Sequence, residues 1–161
     1  MTIRRAELHD IARMVQLSDA KRTEYEQHSP VYWRKATDGN ELQAVFFKKL
    51  LYNADWIALV HDGGNGVDGY VIGHIVESPP VYDMGGKACL IHDFVVERPE
   101  LWSSIGERLL DAIEQEGTLQ KAVVLVVVCG AHDEVKRTFL LKAGTHVTSE
   151  WHVRSIAPVS S

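Results

Sequence analysis

Ala88-Cys89-Leu90-Ile91-His92-Asp93-Phe94-Val95-Val96 and, downstream, Ala122-Val123-Val124-Leu125-Val126-Val127-Val128 are the two stretches on which the reading of the fold turns. Both are too apolar and β-branched to be loops, and the segment between them has helical spacing. That helix spans about Trp102 to Glu116, with Ile105, Leu109 and Ile113 four apart and Ala112 beside them. Strand, helix and strand in succession predict one parallel crossover. The valine run reads as a strand covered on both faces, since it shows no alternation with polar residues.

Upstream, Trp56-Ile57-Ala58-Leu59-Val60 and Tyr70-Val71-Ile72-Gly73-His74-Ile75-Val76-Glu77 flank Gly63-Gly64-Asn65-Gly66, so they predict a hairpin, which Pro79-Pro80 ends. Thr2 to Arg5 is a short first strand. It precedes a helix near His9 to Arg22, with Ile11, Met14, Val15 and Leu17 on one face, and a second helix over about Glu41 to Tyr52 with the stripe Leu42, Val45, Phe46 and Leu50. A last helix starts near Asp133, whose side chain suits an N-cap, and ends at Ala143-Gly144; Val147 to Arg154 is the closing strand. The order βααβββαβαβ makes an α+β (mixed α/β) fold, a single domain over 1–155 with a short tail at 156–161.

The chain has 161 residues, 45% of them apolar, with 17 Lys and Arg against 22 Asp and Glu. One core suffices at this length without disulfide or metal. A net charge of −5 argues against nucleic-acid partners, which need a basic face. Two cysteines, Cys89 and Cys129, are too few for a disulfide framework and fit a reducing, cytoplasmic setting. No membrane role is expected: the longest uncharged apolar run, Ala122 to Ala131, falls short of the roughly 18 residues a span needs, and Glu7, His9 and Asp10 interrupt any leader-like start.

Between the two deciding strands lies Leu101-Trp102-Ser103-Ser104-Ile105-Gly106, followed by Glu107-Arg108-Leu109-Leu110. This loop and the order of elements resemble the GNAT superfamily of acyl-CoA-dependent N-acyltransferases across nearly the whole chain. The resemblance implies a central, mostly antiparallel twisted sheet flanked by helices, with acetyl-CoA as co-substrate. It places Leu101, Trp102, Ser103, Ser104, Ile105 and Gly106 around the pyrophosphate, where a helix N-terminus offers free N–H groups and partial positive charge. Leu101 stands where the family has Arg or Gln, and Ser104 where it has its first glycine. The resemblance assigns the thioester and the pantetheine to the backbone of Phe94, Val95 and Val96. Asp133 falls at the family's Asn, Arg137 with Lys136 at a reach for the 3′-phosphate, and Leu140 at the Tyr that protonates the departing thiolate, so that role is absent or moved.

An ammonium has no lone pair, so amine acylation needs a base. Asp93, His92 and Glu77 are the candidates: Asp93 matches a substrate-facing Asp of related polyamine acetyltransferases, and Glu77 ends the neighbouring strand. A histidine at the core edge and a structural aspartate remain alternatives for His92 and Asp93. No metal is expected, because His92, Asp93, Cys129, His132 and Asp133 follow no recognisable ligand spacing. Cys129 with His132 is an alternative nucleophile, although a thiol ending a valine strand is more often inert. The reading is therefore an N-acetyltransferase moving acetyl from acetyl-CoA to a small-molecule or peptide primary amine by direct attack in a ternary complex. The alternative is a non-catalytic module binding acyl-CoA or a protein partner. Arg22 to Lys35, with Tyr25, His28, Tyr32, Trp33 and Arg34, falls in the family's acceptor region, its aromatics either lining the acceptor site or packing, and the resemblance makes a homodimer a fair expectation.

Overall fold

In the computed structural model, which describes residues 1–157, five strands form one sheet in sequence order. They are β1 (Thr2–Arg5), β2 (Trp56–Asp62), β3 (Val67–Val76), β4 (Lys87–Val96) and β5 (Ala122–Val127). Neighbours pair antiparallel from β1 to β4, and β5 joins β4 in parallel. Two helices, α1 (Ile11–His28) and α2 (Gly39–Leu50), cover one face, with Met14, Leu17, Phe47 and Leu50 packed on Val60, Tyr70 and Ile72. The other face carries α3 (Ile105–Leu119) and α4 (Glu134–Lys142), whose Leu109, Ile113 and Phe139 meet Ile57, Val71, Ile91 and Phe94. Each such fully buried side chain stabilises by about 1.5–3 kcal/mol, and the fourfold spacing of Ile105, Leu109 and Ile113 is what aligns three of them on one side of α3.

One irregularity in β4 sets the orientation of everything after it. Ile72 pairs with Asp93 and Gly73 with Ile91, so His92 is an extra residue, a β-bulge. Before it, Cys89 and Ile91 face α3; after it, Phe94 and Val96 do. Asp93 and Val95 are thereby turned toward α1 and α2, where Val95 joins the core and Asp93 meets Tyr70 and Gln43.

Four expectations need correction. Residues 145–157, where the closing strand Val147–Arg154 was expected, form no helix or strand and pair with nothing in the sheet. Of the predicted tail at 156–161, residues 158–161 lie outside the described residues. The valine strand β5 is an edge strand, and Val123, Val124 and Val126 are exposed because neither α1 nor α2 reaches over it. On α2 the core takes Phe47 and Leu50, whereas Leu42, Val45 and Phe46 of the expected stripe face outward. The predicted single helix from Trp102 is a 3-10 turn over Pro99–Ser103 that breaks before α3. No helix among the described residues is long and apolar enough to cross a membrane.

Candidate functional site

The pairing of β4 with β5 ends at Ile91 and Val127, with one last bond from Val128 N to Ile91 O, so the C-terminal half of β4 leaves β5 and opens a gap. In an extended strand the N–H and C=O of one residue point to the same side and those of the next residue to the other. Glu97 N donates to Asp68 O on the β3 side, while Phe94 O faces the gap and accepts from Lys136 Nζ at 3.0 Å. Phe94 and Val96 therefore present their backbone groups to the gap, and those of Val95 are directed to β3.

Lys136 is fully enclosed. Its ammonium lies 5.6 Å from the centres of both the Phe94 and Trp102 rings, with the Phe94 carbonyl as its one hydrogen-bond partner among the described residues and no carboxylate in ion-pair contact. Burial pulls its pKa below the usual lysine range, partly offset by Cys129, Asp93 and Asp133. Sequence reasoning put Lys136 with Arg137 at a phosphate; helical phase directs Lys136 inward instead. Arg137 turns back to donate to Ala131 O at 3.1 Å.

Across the sheet, the Asp93 carboxylate accepts from Tyr70 Oη at 2.9 Å and Gln43 Nε2 at 3.4 Å. Gln43 Nε2 and Arg22 Nη1 both donate to Ser18 Oγ at 2.8 Å, which fixes the amide. Burial lifts the Asp93 carboxyl above its ordinary range against the Tyr70 hydrogen bond and the charges of Lys136 and Arg22. Tyr70, also desolvated and facing Asp93, stays a phenol. Residues from β3, α1 and α2 thus hold one aspartate that the bulge delivers to them. Tyr70, Gln43 and Lys136 carry no motif; only the alternation of a bulged strand, known once pairing is known, picks them out.

His92 is exposed, its ring stacked 5.1 Å from Trp56 and tilted against His74 at 6.0 Å, and burial followed by His74 lowers its pKa, favouring the neutral imidazole. The structure brings His92 and Asp93 to one end of the gap but not Glu77. Because β3 runs antiparallel to β4, Glu77 follows Val76, the partner of Ala88, and bridges to Lys87 at the opposite end of β4.

Asp133 caps α4, accepting from Lys136 N at 3.3 Å, from Tyr25 Oη at 2.7 Å and from Lys21 Nζ at 3.2 Å. Burial would raise its pKa, and Tyr25 with Lys21 outweighs that and keeps it a carboxylate. Tyr25 and Trp33, packed 4.8 Å apart, close over Gly130, where an added Cβ would approach the Tyr25 ring to 2.8 Å. His28 stacks on His132, while Tyr32 stays exposed. Cys129 is half-buried with its thiol pushed up first by burial and turned to the Gly130 carbonyl, a poor nucleophile.

At the 101–106 loop, Trp102 is buried against Phe94 and Phe139, and Leu101 packs on the same core. A Cβ on Gly106 would meet the Trp102 ring at 2.7 Å, so this glycine is required by the indole. Ser103 and Ser104 are exposed, their hydroxyls 3.4 Å from the carbonyls of Glu100 and Leu101, and Ile105 opens α3. A cavity of about 580 Å³ lies between this loop and α4; its charged lining is Glu100, Glu107 and Glu134 against Lys142 alone.

No protein-family model and no curated protein matches the sequence. Solved structures do match in shape. A mutant of the BH1408 protein from Bacillus halodurans superposes at TM-score 0.85 with 18% identity, over 98% of this chain and 100% of that one. A predicted acetyltransferase of Clostridium acetobutylicum, crystallised with acetyl-CoA, gives 0.72 at 18% identity over 96% of each chain. An aminoglycoside antibiotic 6′-N-acetyltransferase from Acinetobacter baumannii gives 0.70 at 11% identity over 97% and 99%.

The chain has the GNAT fold.

Measured against what a GNAT fold asks of an acyl-CoA, the two ends of the site differ. The acyl end fits: the β4–β5 gap is open and the Phe94 backbone faces it. At the phosphate end the opening of α3 offers free N–H groups and two serine hydroxyls, but three carboxylates crowd the cavity. Asp133 and Arg137 are engaged within the protein and do not line it.

Proposed function

We propose that the protein is an acyl-CoA-dependent N-acyltransferase, moving acetyl from acetyl-CoA to a primary amine. The single observation that carries this reading is the opening of β4 from β5 just beyond Ile91, with Asp93 held on the α1–α2 face of the strand whose β5 edge lines the gap. Acetyl-CoA would supply an acyl thioester, and Phe94 N–H is the backbone donor available to a carbonyl oxygen there. Asp93 attracts a cationic amine and takes its proton, and its raised pKa makes it a stronger base than an ordinary carboxylate. Neutral His92, open to solvent, passes that proton outward. Lys136 Nζ, inside the gap on Phe94 O, holds the proton that a departing thiolate needs, in place of the hydroxyl that Leu140 lacks. Two free thiols support a reducing, cytoplasmic setting.

The acidic cavity favours a second reading, a GNAT-fold module that binds a partner and no nucleotide cofactor. Thermal-shift titration with acetyl-CoA, followed by thiol release over a panel of amines, separates them. Stabilisation by millimolar acetyl-CoA with amine-dependent thiol release is expected. No stabilisation would end the first reading, and stabilisation without turnover would leave a non-catalytic acyl-CoA binder.

A further inference from the structure

Three rings form a platform beside Asp93. Trp56 of β2 stacks on His74 of β3 at 4.4 Å, with their planes 4° apart, and on His92 of β4 at 5.1 Å. Trp56 and His74 are cross-strand partners and so share a face of the sheet. That face is the one covered by α1 and α2, because the Phe46 ring of α2 meets Trp56 edge-on at 5.5 Å. His92 reaches it as the extra residue of the bulge: it stands beside Asp93 on one face, where regular alternation would send one of the two to α3. Packing does not use these rings up. His92 is exposed, Phe46 is 46% exposed, and Trp56 and His74 are half-buried.

The carboxylate next to the platform has capacity left. Tyr70 and Gln43 both donate to Oδ2 of Asp93, whereas Oδ1 has no hydrogen-bond partner among the described residues. Solvent reaches Oδ1, since no described side-chain oxygen is both enclosed and unpartnered. The helix α2 ties the two features together: Gln43, which holds Oδ2, lies one turn from Phe46, which edges the platform. A free anionic oxygen bordering a partly open aromatic surface matches a single cation carried on a planar, apolar body.

Charge sets this apart from a polyamine site. Phe46, Trp56, His74, Leu90 and His92, which make up the surface leading away from Asp93, include no carboxylate. The charges that act on Asp93 are those of Lys136 and Arg22, both cationic. A second ammonium would meet repulsion there and find no counter-ion.

We infer that the acceptor is an arylalkylamine, its ammonium on Oδ1 of Asp93 and its ring against the platform of His92, Trp56 and His74, with Phe46 at the edge. This rests on the transferase reading above and narrows its substrate. The reaction balances without a further reagent. The ammonium loses one proton to solvent by way of Asp93 and His92, its nitrogen bonds to the acetyl carbon as the C–S bond breaks, and a second proton leaves with coenzyme A as the thiol.

Thiol release from acetyl-CoA by the full chain, measured with phenethylamine, n-butylamine and putrescine, tests the assignment. We expect kcat/KM for phenethylamine to exceed that for butylamine about tenfold or more, chiefly through KM, because covering a phenyl ring is worth about that much. Putrescine should be the poorest of the three. Phe46→Ala and Trp56→Leu should each lower the phenethylamine-to-butylamine ratio about threefold or more, and stabilisation by acetyl-CoA reports that each variant is folded. Phe46 is exposed enough for its truncation to spare the core. Equal rates for phenethylamine and butylamine, a preference for putrescine, or a ratio that neither variant moves would overturn this assignment and leave the transferase reading standing. Stabilisation by acetyl-CoA with thiol release from none of the amines would overturn both.

Discussion

Keeping Asp93 ionised works against the fold and for the chemistry proposed for it. Its folded pKa is raised, so between the unfolded value and the folded one the native state binds more protons than the unfolded chain, and stability falls as pH rises through that window. Asp93→Asn removes the penalty and keeps a group to face Tyr70. It is expected to raise the melting temperature at pH 7.5 while lowering thiol release about a hundredfold, and the acid limb of the wild-type pH–rate profile should lie above the ordinary carboxylate range. Lys136 has the opposite sign: its lowered pKa means that the unfolded chain binds the extra proton, so stability rises with pH as the buried amine is relieved of charge. Lys136→Met fills the same space without an ammonium. A higher melting temperature with loss of turnover is expected, because a buried cation without an ion pair is a liability to the fold. Calorimetry alongside the thiol assay checks both variants, and a Lys136→Met enzyme with full turnover would remove Lys136 from the chemistry.

At the scale of elements, the loop from β4 to α3 is organised around an indole. The one glycine that matches the GNAT pattern sits 2.7 Å, by its absent Cβ, from Trp102. Gly106→Ala is therefore expected to destabilise by about 1–3 kcal/mol in chemical denaturation whether or not acetyl-CoA is present. Trp102→Leu in the same chain should recover part of that loss; if it recovers none, the glycine answers to something other than the indole. The hairpin, the crossover and α3 were legible in the sequence because each shows one period and clear punctuation. On α2 two adjacent apolar rows compete, and nothing local says that Phe47 and Leu50 win the core over Leu42, Val45 and Phe46. The Val147–Arg154 alternation misled, since pairing is a property of two segments and a sequence displays them one at a time. For the same reason Asp93 could be named only through a resemblance, and Tyr70, Gln43 and Lys136 gather only after the sheet is assembled.

For the whole molecule, charge is the deciding quantity. A chain of net −5 that lines the cavity beside the 101–106 loop with Glu100, Glu107 and Glu134 repels a polyanion from the surface where the fold would hold one. Salt screens exposed charges within about 10 Å at 0.1 M. Acetyl-CoA affinity is therefore expected to strengthen from low to moderate ionic strength, the reverse of an ordinary phosphate site, and Glu107→Gln with Glu134→Gln should tighten it further. Titration calorimetry in two salt concentrations checks the direction, and weaker binding in salt would mean that the α3 N-terminus outweighs the carboxylates.

The bulge at His92 also makes the protein sensitive to counting. Removing His92 alone would leave Ile91, Asp93 and Phe94 in regular alternation, Ile91 and Phe94 still toward α3 and Asp93 still toward Tyr70. Removing Ile91 as well would put Asp93 next to Leu90 and turn it to the α3 face, with Phe94 on the other. Length in this stretch is as much a part of the proposed site as chemistry: the single deletion is expected to keep the sheet and the Tyr70–Asp93 hydrogen bond, and the double deletion to lose that bond even where the sheet still forms.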